Sequence, residues 1–126
     1  MMFLPSKDRR YLKERDLSYR EVEDGTQKGV IFPEFRLPDG KFHVGHAEIL
    51  IILPAAYPDA APDMFYALPH LTLAGSECAP RCTQARLNFE GRSWQRWSRH
   101  NGQWRPGVDG LQTMLKRIEE ALEIAA

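Results

Sequence analysis

Leu53-Pro54-Ala55-Ala56-Tyr57-Pro58-Asp59-Ala60-Ala61-Pro62-Asp63-Met64-Phe65-Tyr66 is the stretch of sequence that decides the fold. It begins at the end of an apolar run, residues 49–53, in which every position is hydrophobic. Such a run predicts a central β-strand that is covered on both faces. The three prolines that follow exclude a regular β-ladder, because proline has no backbone N–H to donate. The stretch therefore predicts a strand, a proline-rich turn and a second strand.

The chain around this stretch predicts an antiparallel meander between two helices. Candidate strands cover residues 18–23, 28–35, 41–53 and 64–67, and the first two gaps carry the turn sequences Asp24-Gly25 and Pro38-Asp39-Gly40. Pro33 must then lie at a strand end or a bulge. Residues 68–107 lack a convincing periodicity and predict a long irregular segment, which is typical of a functional loop.

The predicted helices differ in the strength of their patterns. Ser6 is a candidate N-cap for a first helix of about ten residues that ends near Asp16. Its exposed face carries Lys7, Arg9, Arg10 and Lys13, which by themselves indicate a solvated charged face. The last helix has one apolar stripe, which predicts packing on the sheet: Val108, Leu111, Leu115, Ile118, Leu122 and Ala125.

Length and charge exclude several classes of protein. A chain of 126 residues suits a single domain, residues 1–126, with a conventional core. Its 17 basic and 17 acidic residues balance, so no overall field favours nucleic acid or an anionic membrane. No apolar run approaches the roughly 20 residues of a membrane span, and the start is too quickly charged for a secretory signal. We therefore expect a cytoplasmic protein.

Two motifs in the same order resemble the ubiquitin-conjugating (UBC) superfamily. That family writes its turn as Pro-x-x-Tyr-Pro-x-x-Pro-Pro, and here Ala61 replaces one of the paired prolines. Trp104-Arg105-Pro106 before the last helix resembles the family's Trp-x-Pro. The resemblance implies an α+β fold: an N-terminal helix, a four-stranded antiparallel meander, an active-site loop and a C-terminal helix packed on the sheet. It also implies that the basic face of the first helix helps to dock an activating enzyme.

The resemblance implies that a cysteine after the fourth strand accepts a ubiquitin-like modifier protein as a thioester. Cys78 and Cys82 both lie there, and two arguments about which of them is the acceptor point in opposite directions. Gly75-Ser76-Glu77-Cys78 resembles the sequence that usually precedes the acceptor. A neighbouring Arg81 favours a thiolate at Cys82, whereas Glu77 disfavours one at Cys78. The sequence favours Cys82 and leaves Cys78 open, together with the possibility that neither thiol is catalytic.

The groups that would assist transfer differ from the family's pattern. The His-Pro-Asn tripeptide, whose asparagine stabilises the oxyanion, is replaced by Leu68-Pro69-His70. Candidate donors are therefore His70, Asn88 and Asn101. The stretch from Gly91 to Asn101 resembles the bacterial "family E" branch, in which a histidine after the cysteine replaces the upstream one. His100 is the matching residue here. The resemblance implies that it orients the attacking amine, takes the amine's proton or stabilises the thioester oxygen. The alternative is that His100 only packs between Trp97 and Trp104.

Other interpretations use the same residues. Cys78, Cys82, His70 and His100 could bind zinc, and the interleaved arginines and tryptophans could bind single-stranded nucleic acid, although both patterns are weak. Ser76 or Thr83 could accept the modifier as an ester. A UBC-fold adaptor without catalysis is the alternative function. The favoured hypothesis needs no cofactor or metal, and implies as partners a ubiquitin-like modifier protein, its activating enzyme and a deubiquitinase-like protease of the same operon.

Overall fold

The computed structural model describes residues 3–76, 78–99 and 103–126, which form an α+β fold. Its helices are α1 (Ser6–Glu14) and α2 (Leu111–Ile124). Its strands are β1 (Arg20–Asp24), β2 (Gln27–Arg36), β3 (His46–Leu53), β4 (Phe65–Leu68), β5 (Arg86–Phe89) and β6 (Arg92–Trp97). All pairings are antiparallel, and the six strands form one sheet in the order β1-β2-β3-β4-β6-β5.

β3 is an interior strand that is buried on both faces, as its unbroken apolar sequence predicts. Ile49 and Ile51 belong to the main core, the larger cluster of buried side chains, which also contains the apolar residues of α2. Leu50 points to the other face and joins a second core with Ile31, Phe89 and Trp94. The predicted bulge at Pro33 is also confirmed, since the pairing of β2 with β3 shifts register between Phe32 and Phe35.

The apolar stripe of the last helix packs on the sheet. Leu111, Leu115, Ile118 and Leu122 are buried in the main core. Each such side chain contributes roughly 1.5–3 kcal/mol when it leaves water. The predicted stripe extends beyond the helix at both ends, because Val108 precedes α2 and is 48% exposed, whereas Ala125 follows it and is buried.

The prediction of four strands and an irregular segment over residues 68–107 is corrected by the structure. β5 and β6 form a hairpin inside that segment and extend the sheet to six strands. Its two turn residues, Glu90 and Gly91, have φ values of 55° and 72°, as a tight hairpin turn requires. Glu-Gly is a weaker turn signal than Asn-Gly or Asp-Gly, and the burial of Gln95 breaks the alternation expected of a strand.

Smaller corrections concern the ends of elements. Pro5, not Ser6, occupies the N-cap position of α1, and the helix ends at Glu14. The third strand begins at His46 rather than at residue 41, and Phe42 makes only an isolated bridge to Leu73. The chain between residues 37 and 45 turns back on itself, since the Leu37 N–H donates to the Gly45 carbonyl at 2.9 Å.

The sheet curls so that the β5–β6 turn reaches its opposite edge. Arg20 of β1 donates two hydrogen bonds to the Glu90 carboxylate, at 2.7 and 2.8 Å, and the Glu90 N–H donates to Asp24 at 2.8 Å. The Arg20 partner lowers the pKa of Glu90. Phe89 packs over Gly29, where a Cβ would lie 3.0 Å from the Phe89 ring. Neither helix of the described residues has the length and apolar character of a membrane span.

Candidate functional site

The two sequence motifs are in direct contact in the fold. The rings of Tyr57 and Trp104 lie 6.3 Å apart, and the Trp104 Nε1–H donates to the Pro58 carbonyl at 2.9 Å. Trp104 thereby fixes the segment that leads into α2 against the proline-rich turn. Two stretches separated by more than forty residues in sequence thus form one structural unit.

A buried carboxylate joins this unit to α1. The Asp8 side chain accepts a hydrogen bond from the Tyr57 hydroxyl at 2.6 Å and another from the Leu111 N–H at 3.1 Å. Leu111 is the first residue of α2, so the carboxylate lies at a helix N-terminus, where the helix dipole favours negative charge. Burial, helped by the Asp8 carboxylate, raises the pKa of Tyr57 and keeps its hydroxyl a donor. A Cβ at Gly110 would lie 2.8 Å from Asp8, which explains the glycine there.

The cysteines lie in what we call the thiol loop, residues 78–85. Both thiols are free and exposed. Hydrogen bonds within the thiol loop and from β5 hold its conformation. The buried Thr83 hydroxyl donates to the Pro80 carbonyl at 2.6 Å. Arg86 Nη1, at the start of β5, donates to the carbonyls of Thr83, Gln84 and Ala85 at 2.8 to 3.1 Å. The Arg81 N–H donates to the carbonyl of Ala126, beyond α2. The loop is therefore anchored to the body of the protein.

Cys82 has an unusual backbone conformation, with φ at 58°. Only two other described residues besides glycine have positive φ, and both have ordinary reasons: Asp16 follows α1 and Glu90 forms the hairpin turn. A cysteine in this region costs about 1–2 kcal/mol, and glycine would remove the cost. Residues with such strain cluster at functional sites, and Cys78 does not share this conformation.

Substituting Cys82 should reveal this strain. We expect Cys82→Gly to be at least as stable as the wild type, because the relieved strain offsets the added entropy of the unfolded chain. Cys78 has no positive φ, so Cys78→Gly should lose about 0.5–1 kcal/mol. Thermal and urea unfolding of the two variants measure the difference. Equal losses in both variants would contradict the strain at Cys82.

The end of β6 holds Cys82 in place. The Ser98 N–H donates to the Cys82 carbonyl at 3.1 Å. Arg99 Nη1 donates to the Arg81 carbonyl, directly before Cys82, at 3.2 Å, and the guanidinium lies 4.9 Å from the centre of the Trp97 ring. Burial lowers the pKa of Arg99, while the Cys82 sulfur raises it and Arg81 lowers it further. A half-buried positive charge is therefore held at the backbone carbonyl directly before Cys82.

A cavity of about 290 Å³ connects this end of β6 with the proline-rich turn. Pro54, Met64, Tyr66 and Arg96 line it, and the Ser98 hydroxyl lies 3.9 Å from the Met64 sulfur. A larger cavity, of about 390 Å³, lies between α2 and the end of α1 and contains neither cysteine.

The other predicted acceptors are placed differently. The Cys78 N–H donates to the Ser76 hydroxyl at 3.3 Å, and the Cys78 carbonyl accepts from the Leu73 N–H at 2.8 Å. Ser76 is exposed, so its hydroxyl is accessible. Thr83 has no exposed surface, and its hydroxyl donates to a carbonyl, so it is not accessible in this conformation.

The structure does not bring His70 or Asn88 to Cys82. His70 Nε2 donates to the Ser93 carbonyl at 2.9 Å, and Asn88 pairs with Ser93 across the hairpin. Ser93 lies near the start of β6, whereas Ser98, which binds Cys82, follows its end. Five residues of extended strand separate these points by about 16 Å. In this arrangement His70 orders the start of β6.

Gln95 is a structurally important residue that the sequence analysis did not identify. Its side chain is 1% exposed. It accepts from the Leu71 N–H at 2.9 Å and the Trp97 Nε1–H at 3.0 Å, and it donates to the Leu71 carbonyl at 3.1 Å. The amide thus fixes the segment after β4 to β6. A glutamine between two tryptophans was the available signal, although it is indistinguishable in sequence from an exposed strand residue.

Three residues of the earlier predictions, Glu77, His100 and Asn101, lie outside the described residues. Over residues 3–76, 78–99 and 103–126 there is no group of three or more His, Cys, Asp or Glu side chains that could hold a metal ion. Of the four residues proposed for zinc, His100 lies outside the described residues, and Cys78, Cys82 and His70 do not form such a group among themselves.

Comparisons with known proteins identify the family. The family model of prokaryotic E2 family E matches residues 4–125, which is nearly the whole chain. No curated protein and no solved structure gave a significant match. The match spans the proline-rich turn, the thiol loop and Trp104, which the fold brings together around α2 and β6. The chain therefore belongs to prokaryotic E2 family E, whose members are conjugating-enzyme-like proteins.

Proposed function

We propose that this protein accepts a ubiquitin-like modifier from an activating enzyme as a thioester on Cys82 and transfers it to a lysine amine. The observation that carries the choice of Cys82 is its positive φ in an anchored, exposed loop. Arg99 places a positive charge at this part of the loop, because its guanidinium donates to the Arg81 carbonyl directly before Cys82. Family membership supports the conjugating role, and with it the modifier and the activating enzyme as partners.

The proposed chemistry has two acyl-transfer steps. The Cys82 thiolate attacks the carbonyl carbon of the activating enzyme's thioester, a new C–S bond forms, and the activating enzyme's cysteine leaves as a thiolate. A lysine amine then attacks the same carbon, loses a proton, and displaces the Cys82 thiolate. One thioester replaces another in the first step, so it needs no further energy, and the activating enzyme consumes the ATP. No cofactor is required on this chain.

The other residues predicted from the sequence have secondary roles in the proposed reaction. His100 would accept the proton of the attacking amine or orient it. Cys78 is the second candidate acceptor, and His70 acts at a distance by ordering β6. We place the reaction in the cytoplasm, where the activating enzyme finds ATP, and expect a deubiquitinase-like protease of the same operon to reverse it. Neither nucleic acid nor a membrane takes part.

A charging assay tests the proposal directly. Protein, modifier, activating enzyme and ATP are incubated, and the intact mass is read with and without reductant. We expect an adduct of the wild type that reductant removes, and the same adduct on Cys78→Ser. Cys82→Ser should give no adduct, or an ester that hydroxylamine cleaves and reductant does not, because a serine ester is insensitive to thiols.

The alternative function, an adaptor of UBC fold that binds the modifier or its activating enzyme without catalysis, predicts different results. No adduct would form on any variant although the activating enzyme in the same tube is charged, and the chain would still bind one of the two proteins. An adduct on Cys82→Ser with wild-type yield, lost in Cys78→Ser, would instead assign the acceptor to Cys78.

A further inference from the structure

Acyl transfer to and from a thiol places negative charge at two points. The sulfur is charged before attack, and the carbonyl oxygen becomes an oxyanion in the tetrahedral intermediate. A donor that is already in place at the oxyanion is typically worth about 10²–10³ in rate. His70 and Asn88 lie near the start of β6, about 16 Å from the residue that binds Cys82. Neither of these two residues therefore supplies a donor at the Cys82 end of β6.

Arg99 is one charged side chain that the fold holds there, two residues after the end of β6. Its Nη1 donates to the carbonyls of Ser98, at 3.0 Å, and Arg81, at 3.2 Å. Ser98 binds the Cys82 carbonyl through its own N–H, and Arg81 directly precedes Cys82 in the chain. The planar guanidinium also lies over the Trp97 ring, which is itself fully buried. Ring and carbonyls together fix the position of the charge before any substrate arrives.

The surroundings of Arg99, which follows β6, differ from those of Arg92, the first residue of that strand. Arg92 also lies over a tryptophan, with its guanidinium 4.8 Å from the Trp94 ring centre. Arg92, however, is neutralised by the Glu48 carboxylate at 2.7 Å. Among the described residues, Arg99 contacts carbonyls and an aromatic ring but no carboxylate. No carboxylate of the described residues therefore neutralises its charge.

We propose that Arg99 is a catalytic residue that stabilises both the Cys82 thiolate and the oxyanion formed on the acyl carbon. This proposal rests on the proposed function. In the first step the sulfur's electron pair forms the C–S bond while the carbonyl oxygen takes the charge next to the guanidinium. The charge then returns as the activating enzyme's thiolate departs. In the second step the amine attacks, the oxyanion forms again at the same place, and Cys82 leaves as a thiolate beside Arg99.

Two measurements on Arg99→Gln, Arg99→Lys and the control Arg92→Gln test this role. The first is the rate of iodoacetamide alkylation of Cys82 at pH 7, followed by peptide mass, with Cys78 in the same molecule as internal reference. It needs no partner protein. The second is the single-turnover rate of discharge of the preformed thioester to free lysine. Thermal unfolding of each variant confirms that the fold is retained.

We expect Arg99→Gln to slow Cys82 alkylation about tenfold with Cys78 unchanged, because the thiolate is the reactive species. Discharge should fall by about 10²-fold. Arg99→Lys keeps the charge without the fork of donors, so it should recover part of both rates. Arg92→Gln loses an arginine–tryptophan contact of the same kind and should alter neither rate at Cys82.

The outcomes separate this inference from the function on which it rests. Equal Cys82 alkylation rates in the wild type and Arg99→Gln overturn it, whether or not the chain accepts a modifier. Slower alkylation with unchanged discharge also overturns it, since the role at the oxyanion is then absent. A wild type that cannot be charged refutes the proposed conjugation and the oxyanion role with it, and the alkylation comparison then shows only whether Arg99 stabilises the thiolate.

Discussion

Replacing Asp8 by alanine is expected to lower the free energy of unfolding by about 3–5 kcal/mol. The Asp8 carboxylate is 2% exposed and accepts from two donors, the Tyr57 hydroxyl and the Leu111 N–H. Alanine leaves both donors without this acceptor, at roughly 1–3 kcal/mol each, and removes a negative charge from the N-terminus of α2. The midpoint of thermal unfolding should fall by about 10–20 °C.

Two milder variants separate the contributions at Asp8. Asp8→Asn keeps an oxygen for the Leu111 N–H, and its amide can donate to the Tyr57 oxygen, so it should cost about 1–2 kcal/mol. Tyr57→Phe removes one partner of the carboxylate and should cost about 1.5–3 kcal/mol. Urea unfolding of the single and double variants measures the coupling between these residues. Additive losses for Asp8 and Tyr57 would mean that their hydrogen bond contributes nothing to stability.

Gln95→Met is expected to destabilise the fold by about 3–5 kcal/mol although methionine has almost the same length. The substitution leaves the Leu71 N–H, the Leu71 carbonyl and the Trp97 indole N–H without their partner in a fully buried place. A buried polar group that has lost its partner costs roughly 1–3 kcal/mol. Amide hydrogen exchange at Leu71 should accelerate as well, because its N–H bonds to the Gln95 side chain.

Gln84→Met is the matched control for Gln95→Met. Gln84 is exposed in the thiol loop, and its backbone carbonyl accepts a hydrogen bond from Arg86. Its replacement should change stability by less than about 0.5 kcal/mol. If the two methionine variants unfold at the same urea concentration, the hydrogen bonds of Gln95 do not stabilise the fold.

The outline of the fold could be predicted because its signals are local. The apolar residues of β3 need no neighbour to be identified as a buried strand, and Pro33 and the proline-rich turn are restricted by their own missing N–H groups. The periodic apolar residues of α2 are equally explicit. What the sequence does not contain is the contact of Trp104 with Tyr57, although both residues stand out in it.

The hairpin of β5 and β6 was missed because burial there does not follow the alternation of an ordinary strand. Trp94 belongs to the second core and Trp97 to the main core, while the polar Gln95 between them is also buried. Its polarity suggests exposure unless Leu71 is known to be its partner. That partner lies 24 residues away, so no window of sequence pairs the two.

The choice between the two cysteines depends on geometry that composition does not carry. A positive charge at Arg81 favoured Cys82 in the sequence, whereas Gly75-Ser76 favoured Cys78. The positive φ of Cys82 arises from the path of the whole thiol loop, which is fixed by a bond from Arg81 to Ala126 at the far end of the chain. In the sequence, nothing distinguishes Arg99 from the other arginines; its contacts with the Arg81 carbonyl and the Trp97 ring appear only in the fold.

The hydrogen bonds between Glu90 and strand β1 also affect how the protein avoids self-association. An edge strand is a ready template on which a second chain can add and start an aggregate. β1 is five residues long, and Arg20 and Asp24 at its two ends both bind Glu90 of the hairpin turn. An incoming strand would have to displace this charged closure before it could pair. The curl of the sheet thus shields one of its edges from polymerisation.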